Sequence, residues 1–581
     1  MPRRVGLSIS FLSRNDEILV SRKSPPPLLE VIDSGEGRDY SWLQAAVEIA
    51  FIFLLFFILA GSPPPGVGES HYLPKAKHYW DPSWCRGDLF LDSADAHLTF
   101  YWCFGWVTQY CSLTTTAWIG RGVTWLLLAA AWQRLSVALV PQRLMSILTA
   151  GLMMIFLRWF HMAGEWMVGG VEAKSFAYVF FLLSLECLVR RRWTGAWLWM
   201  GAAAAFHVLI GGWGCVLIGG VWLLERNQPD SPSLLRMMPA VLGGFVLSLP
   251  GLIPAILLNK GVDPEIAREA TTAYVFERLP HHLVFHRFEH LYMARQLALL
   301  IAWAALAWHQ RHDVRLRALH LFVLGAVLMG AVGAAIDQSL LWQRELAARL
   351  LRYYWFRLSD SMLAIGVALA IAAELSRREK SQPGLTAAVM TLAMLAVGID
   401  LSYAMWSRSE LRVPGAFLQP KPTQTSPLED PHAAPTQPEL SPQQMFAEWQ
   451  RVCDWIERET PAQAGFLTPR RQQTFHWYAQ RREAVNWKDV PQDAAGLMRW
   501  KAAMEELYPR ATFVRDLAAH SDDELVRLAR KYNATYIVLD RARAERGLKL
   551  PRIYPTFPGE NQAYEVYFVP PLAAAKEGAA Q

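Results

Sequence analysis

The sequence predicts an α-helical polytopic membrane protein of about eleven transmembrane helices, with a small soluble α/β domain behind them. Three observations predict this. Residues from about 43 to 406 form apolar blocks of roughly 17–25 residues, the length that crosses about 30 Å of hydrocarbon. The short connections between alternate blocks are rich in arginine and lysine. Residues 407–581 then turn polar and charged, and are proline-rich near their start.

Residues 1–42 carry Arg3, Arg4, Arg14, Arg22 and Lys23 and read as a basic cytoplasmic segment. The apolar block after it is expected to stay as an uncleaved first span, because the basic stretch is long for a signal peptide and further spans follow. The spans are expected at about 43–60, 116–136, 144–161, 172–189, 194–210, 212–225, 236–258, 291–309, 316–335, 356–375 and 384–406. The fifth and sixth also fit a re-entrant pair around His207 and Gly211-Gly212. Asp95–Leu113 is aromatic and amphipathic, which suits the membrane interface.

The loops order these spans. Arg190-Arg191-Arg192, then Arg311, Arg315 and Arg317, then Arg377, Arg378 and Lys380 fall on the side of the basic N-terminus, the cytoplasmic side. An odd number of spans then puts the long loops 61–115, 259–290 and 336–355 on the outer face. A linker, 407–440, leads to an extracytoplasmic domain, 441–581. In that domain 464–469, 535–539 and 564–569 read as buried strands. Residues 521–532 read as a helix capped by Ser521, with Leu525, Leu528 and Ala529 on its buried face. It has no Gly-rich phosphate loop, nucleophile elbow or metal motif.

Composition excludes some classes. The formal net charge of +6 is spread over loops rather than gathered in a patch, so nucleic acid is not an expected partner. The six cysteines, Cys85, Cys103, Cys111, Cys187, Cys215 and Cys453, form no CxxC pair and lack zinc-ligand spacing. Unpaired thiols are favoured over a disulfide in the first outer segment. No metal ligands are assigned, and the cofactor stays unknown: a divalent metal is an open alternative that no ligand motif supports.

Four outer clusters carry the chemistry. Glu69 and His71 follow the first span, where a carboxylate is placed to act as general base; the plain alternative is a solvated loop. Glu172 and Lys174 stand at the mouth of the fourth span behind Gly169-Gly170, where ionisable groups are costly unless they face protein or water. A favourable helix start with an ion pair explains them almost as well. Arg278, His281 and His282 gather in one loop; adjacent histidines without carboxylates at ligand spacing are weak metal ligands. Arg352 and Arg357 flank the tenth span and suit phosphate, although Asp360 one turn on is a candidate ion-pair partner for Arg357.

This arrangement resembles the GT-C class of integral-membrane glycosyltransferases, which includes oligosaccharyltransferase catalytic subunits and protein O-mannosyltransferases. The chain also looks like a group of large bacterial membrane proteins. That likeness rests on His71-Tyr72-Leu73, Gly170-Val171-Glu172-Ala173-Lys174, Arg278-Leu279-Pro280-His281-His282, Trp355–Asp360, Phe466-Leu467-Thr468-Pro469, Trp477-Tyr478-Ala479 and Trp487-Lys488-Asp489. The resemblance implies a sugar transfer at the outer face of the bacterial inner membrane, from a polyprenyl-phosphate-linked donor in the membrane lipid to an acceptor it does not name. It implies Glu69 as base or acceptor guide, Glu172 as the second acid, and Arg352 or Arg357 on the donor phosphate. His71, Lys174, His281 and His282 complete the expected binding set. The sequence departs from the class by having Glu-Ser-His in place of an adjacent acidic pair, and by lacking the Trp-Trp-Asp signature of oligosaccharyltransferases. The rival readings are a non-enzymatic membrane scaffold presenting the C-terminal domain and, less favoured without an internal repeat, a transporter.

Overall fold

The structure is a computed structural model that describes residues 41–66, 68–411, 440–544 and 547–571. The basic N-terminal segment up to residue 40 and most of the expected linker, 412–439, lie outside the described residues.

A helix occupies each of the eleven apolar segments. Eight are long and apolar enough to cross a membrane. They are α1 (Trp42–Ala60), α4 (Leu113–Leu139), α8 (Val208–Glu225), α9 (Leu234–Leu257), α12 (His290–His309), α13 (Val314–Ser339), α15 (Arg357–Arg378) and α16 (Pro383–Leu411). The other three are shorter: α5 (Met145–Trp159), α6 (Ala173–Val189) and α7 (Trp193–Phe206), of 15, 17 and 14 residues. Between them lie the loop helices α2 (Glu69–Trp80), α3 (Leu98–Cys103), α10 (Pro264–Ala273), α11 (Pro280–Leu283) and α14 (Arg344–Leu351). A helix is the natural state of each apolar segment, since it satisfies every backbone group within itself.

The helices differ in how far protein encloses them. In α15, 83% of the membrane-length window is buried, against 11% in α16, so α15 runs through the bundle while α16 lies on its outside. Around α15 the core gathers Trp125, Trp132, Phe181 and Phe322, each at most 2% exposed. Close packing of this kind, rather than exclusion of water, holds helices together in lipid.

The fifth and sixth expected spans meet at a sharper break than the sequence suggests. Only His207 separates α7 from α8; its backbone is extended, and its ring Nδ1 accepts from the Ile210 amide at 3.4 Å. The chain folds back there. A Cβ on Gly211 would lie 2.2 Å from the Ala204 nitrogen, and one on Gly201 would lie 2.1 Å from the Gly244 carbonyl oxygen. Both glycines are required by backbone contact. Gly211→Val is therefore expected to force the pair apart at a cost of about 1–3 kcal/mol, read as a lowered melting temperature of the detergent-solubilised protein; an unchanged melting curve would refute the contact.

The C-terminal domain is an α/β sandwich. Its strands are β1 (Gly465–Leu467), β2 (Arg482–Glu483), β3 (Tyr536–Asp540), β4 (Arg552–Tyr554) and β5 (Tyr564–Phe568), in the order β2-β1-β3-β5-β4. β1 runs parallel to β2 and β3, and β5 runs antiparallel to β3 and β4. Alternation of side chains along a strand divides the core. Phe466, Val538 and Val566 face Trp449, Val452 and Ile456 of α17 (Pro442–Glu459). Leu467, Ile537 and Leu539 face a second layer, of which α19 (Ala494–Leu507) and α20 (Asp522–Lys531) are part, α18 being the short turn Phe475–Tyr478. Ser521 Oγ caps α20 through the Glu524 amide at 3.3 Å, and Leu525, Leu528 and Ala529 are fully buried. Ala270 and Ala273 of α10 join the second layer, so a loop of the helical part completes the core of this domain.

Candidate functional site

The site lies where the long loops meet the C-terminal domain. Four segments wall a cavity of about 330 Å³ there: residues 68–72, 163–174, 274–282 and 354–357, closed by 488–492 of the C-terminal domain. Its size is within the range of small-ligand sites.

The segment between α5 and α6 sets most of the geometry. It crosses the end of the bundle without helical hydrogen bonds of its own, so its amides need outside partners. Asp360, in the first turn of α15, supplies them. Its carboxylate accepts from the amides of Met162, Ala163 and Glu165 at 2.9, 2.8 and 3.2 Å. This corrects the expected Arg357–Asp360 pair. Arg357 instead meets Glu165, Nε to Oε2 at 2.9 Å, and points Nη1 at His207 Nε2 at 3.0 Å. Glu165 also accepts from the Tyr178 hydroxyl at 2.9 Å.

Glu172 is the N-cap residue of α6, as the helix-start reading expects. Its ion pair with Lys174 exists, but the ammonium is shared: it lies 3.7 Å from both Glu172 Oε1 and Glu165 Oε1. Lys174 also sits 3.8 Å over the Trp166 ring, a favourable position for a cation on the face of an indole. Glu172 Oε1 is buried and accepts no hydrogen bond from the described residues. A carboxylate oxygen left so in a protein is costly unless a ligand or water completes it.

Cations dominate the rest of the wall. Arg278 lies over the Trp487 ring at 5.2 Å, and its buried Nε has no hydrogen-bond partner among the described residues. Burial lowers the Lys488 ammonium to a pKa of about 8, with the neighbouring Arg278 adding to the effect. Together Lys174, Arg278, Arg357 and Lys488 line the cavity beside the carboxylates of Glu165 and Glu172. This excess of positive charge beside one incomplete carboxylate fits an anionic ligand that also offers a hydrogen-bond donor.

Two neutral imidazoles line the same space. His71 Nδ1 meets Asp489 Oδ1 at 3.2 Å, and burial still lowers its pKa. His282 donates from Nδ1 to the Ala163 carbonyl at 2.5 Å, which leaves Nε2 as an acceptor. Burial first, and His281 next, push His282 down to a pKa of about 3 from an ordinary 6.5. Between those values the unfolded chain binds a proton that the folded chain refuses. Stability contributed by the neutral ring is therefore present above pH 6.5 and is lost as the pH falls toward 3, by at most about 1.4 kcal/mol per pH unit. His282→Gln is expected to flatten the acid side of a melting-temperature profile between pH 7 and 4, and an unaltered slope would remove His282 from that role.

The structure thus brings five of the expected residues to one cavity: His71, Glu172, Lys174, His282 and Arg357. Three stand apart. Arg352 is exposed, and its guanidinium reaches Thr271 Oγ1 at 3.5 Å. His281 is also exposed, its ring tilted against that of His282 with centres 4.1 Å apart. Glu69 is fully buried behind the wall. Its two oxygens form a fork with Arg121 Nε and Nη2 at 2.7 and 2.6 Å, and also accept from the amides of Gly66 and Val171 at 2.5 and 2.9 Å. Such a carboxylate has its lone pairs engaged by donors and is placed to hold loops, not to take a proton. The solvated-loop alternative for this segment fails as well, because Glu69 and Lys75 are among its buried residues.

Sequence reasoning missed Glu165, Tyr354 and Lys488. Lys488 and Tyr354 stand inside or beside segments that carried the family resemblance, but no spacing rule linked them to Glu172. Glu165 had one signal, an acid in a loop otherwise made of apolar and small residues.

The fold and site together define a largely α-helical protein with, among the described residues, eight helices long and apolar enough to cross a membrane and a small sheet domain. A family model described as "Domain of unknown function (DUF6798)" matches residues 447–507, which run from α17 through α19 and include Lys488 of the cavity wall. A comparison with curated proteins finds no match.

Proposed function

We propose that the protein is a membrane glycosyltransferase of GT-C type, which moves a sugar from a polyprenyl-phosphate-linked donor to an acceptor at the outer face of the bacterial inner membrane. The single observation that carries this reading is the cavity itself: four cations and one incompletely bonded carboxylate line it together at the loop end of the helix bundle. In this reaction Glu172 accepts the proton of the acceptor as it attacks the anomeric carbon. Lys174, Arg278 and Arg357 stabilise the negative charge that builds on the departing phosphate. Glu165 orients Arg357 and Lys174 instead of meeting substrate.

The orientation is part of the proposal. Arginines of the basic connections meet at the far end of the helices, where Arg191 and Arg317 both pair with Glu225, in keeping with a cytoplasmic face there. A transporter would hold its charged groups midway along broken helices, whereas these stand at helix ends.

The test uses the purified protein in lipid vesicles, supplied with polyprenyl-phosphate-linked sugars, and measures free polyprenyl phosphate released. Wild type is expected to release it. Lys174→Met and Arg278→Met are each expected to weaken donor binding by about tenfold or more, the loss of one charge-assisted contact of about 1.5–3 kcal/mol. Absence of release with every donor, together with unaltered donor binding in both variants, would overturn the reading.

A further inference from the structure

Next to the cavity, where its lining residue His71 meets Asp489, lies a second cluster that the transfer chemistry does not use. His476, Glu483 and Asp489 come from the short helix α18, strand β2 and the loop after it, and their side chains are buried. One donor atom from each lies within 4.8 Å of the others. We infer that His476 Nδ1, Glu483 Oε1 and Asp489 Oδ2 bind a divalent transition-metal ion that fastens the C-terminal domain to the first outer loop.

Distances carry the argument. His476 Nδ1 is 3.6 Å from Glu483 Oε1 and 3.7 Å from Asp489 Oδ2. Those separations are too long for hydrogen bonds, and Nδ1, on a side chain only 1% exposed, is a buried atom with no hydrogen-bond partner among the described residues. They are the separations of donors that each stand about 2.1 Å from a common ion.

The surroundings are built as metal sites are. His476 Nε2 is held by Asp88 Oδ2 at 2.6 Å, which fixes the ring and aims Nδ1 at the two carboxylates. A histidine held this way by an outer carboxylate is the usual support of a metal-ligating imidazole. Asn486 Nδ2 donates to Glu483 Oε1 at 2.5 Å and to Asp489 Oδ2 at 2.8 Å, while its Oδ1 accepts from the amides of Lys488 and Asp489 at 2.8 Å. Both carboxylates are thereby oriented, and each ligating oxygen keeps a lone pair. The remaining oxygens are occupied: Glu483 Oε2 by Thr468 and Asp489 Oδ1 by His71. Three buried carboxylates around one imidazole are also expensive without a further positive charge.

The donor set selects the class of ion. One imidazole and two carboxylates suit Zn²⁺ or Mn²⁺ better than Mg²⁺, which prefers oxygen and water, or Cu⁺, which prefers sulfur. The ion would act as a structural staple. Asp88 and His71 belong to the first outer loop, and Lys488, next to Asp489, stands in the cavity wall.

The test uses the full chain in detergent, stripped by a chelator, reloaded with Zn²⁺ or Mn²⁺ and freed of unbound metal. Elemental analysis is expected to find one ion per chain, and the reloaded protein to melt at a higher temperature than the stripped one. His476→Ala and the double variant E483Q/D489N are expected to lose the ion, while His281→Ala keeps it. Asp88→Asn leaves all three ligands in place, so it guards against variants that fail to fold; its affinity should fall about 10–100-fold. Wild type that retains neither metal and melts identically with and without it would overturn the site. Equal retention by E483Q/D489N would do the same.

Discussion

Glu69→Ala is expected to destabilise the protein by about 3–5 kcal/mol, because it strands a buried charge. Arg121 is 1% exposed and lies on α4, and it also donates to the Ser62 carbonyl, on the chain leaving α1. Without Glu69 the guanidinium has no counter-ion in a place water reaches poorly. The amides of Gly66 and Val171 lose their acceptor at the same time, so the mouth of α6 loosens along with the first loop. Glu69→Gln keeps the shape but not the charge and should fall between the two. The pair explains its own rescue: a Glu69→Gln/Arg121→Met double variant removes both charges and should melt above either single variant. Thermal unfolding in detergent checks each step. A Glu69→Gln protein that melts like wild type yet transfers no sugar would return Glu69 to the chemistry and defeat the clamp.

That outcome also measures what the sequence carries. Apolar runs report helices directly, so all eleven apolar segments are helical where expected, and Ser521, Leu525, Leu528 and Ala529 take their places in α20. Periodicity reports which face of an element is buried, but not what it is buried against. Glu69 and Glu172 look alike in sequence, each an acid beside a span with a basic neighbour two or more residues on. Only the approach of α4, which brings Arg121 to one of them, separates a clamp from an open carboxylate. The same limit hid Glu165 and Lys488, each of which has one partner far off in the chain. His476, Glu483 and Asp489 illustrate it at short range. Their spacings of seven and six residues match no ligand motif, and a turn, a two-residue strand and a loop bring them together. Very short elements leave no periodic trace.

Glu172→Gln is expected to lower turnover by about 100- to 10,000-fold, the usual contribution of a positioned general base, while leaving the melting temperature nearly unchanged. The two halves of this prediction rest on one atom. Glu172 Oε1 accepts no hydrogen bond, so exchanging the carboxylate for an amide breaks no hydrogen bond at that atom and keeps the side chain's shape. Lys174 retains Glu165 as a counter-ion at 3.7 Å, so the ammonium is not stranded as Arg121 would be. The kinetic form of the loss separates the base from the cations around it. An amide cannot take the acceptor's proton, so kcat falls while KM for the donor holds; Lys174→Met, which loses contact with phosphate, raises that KM as well. Should Glu172→Gln instead lower the melting temperature and leave kcat intact, the carboxylate is only the favourable start of α6. The cavity would then bind an anion without acting on it.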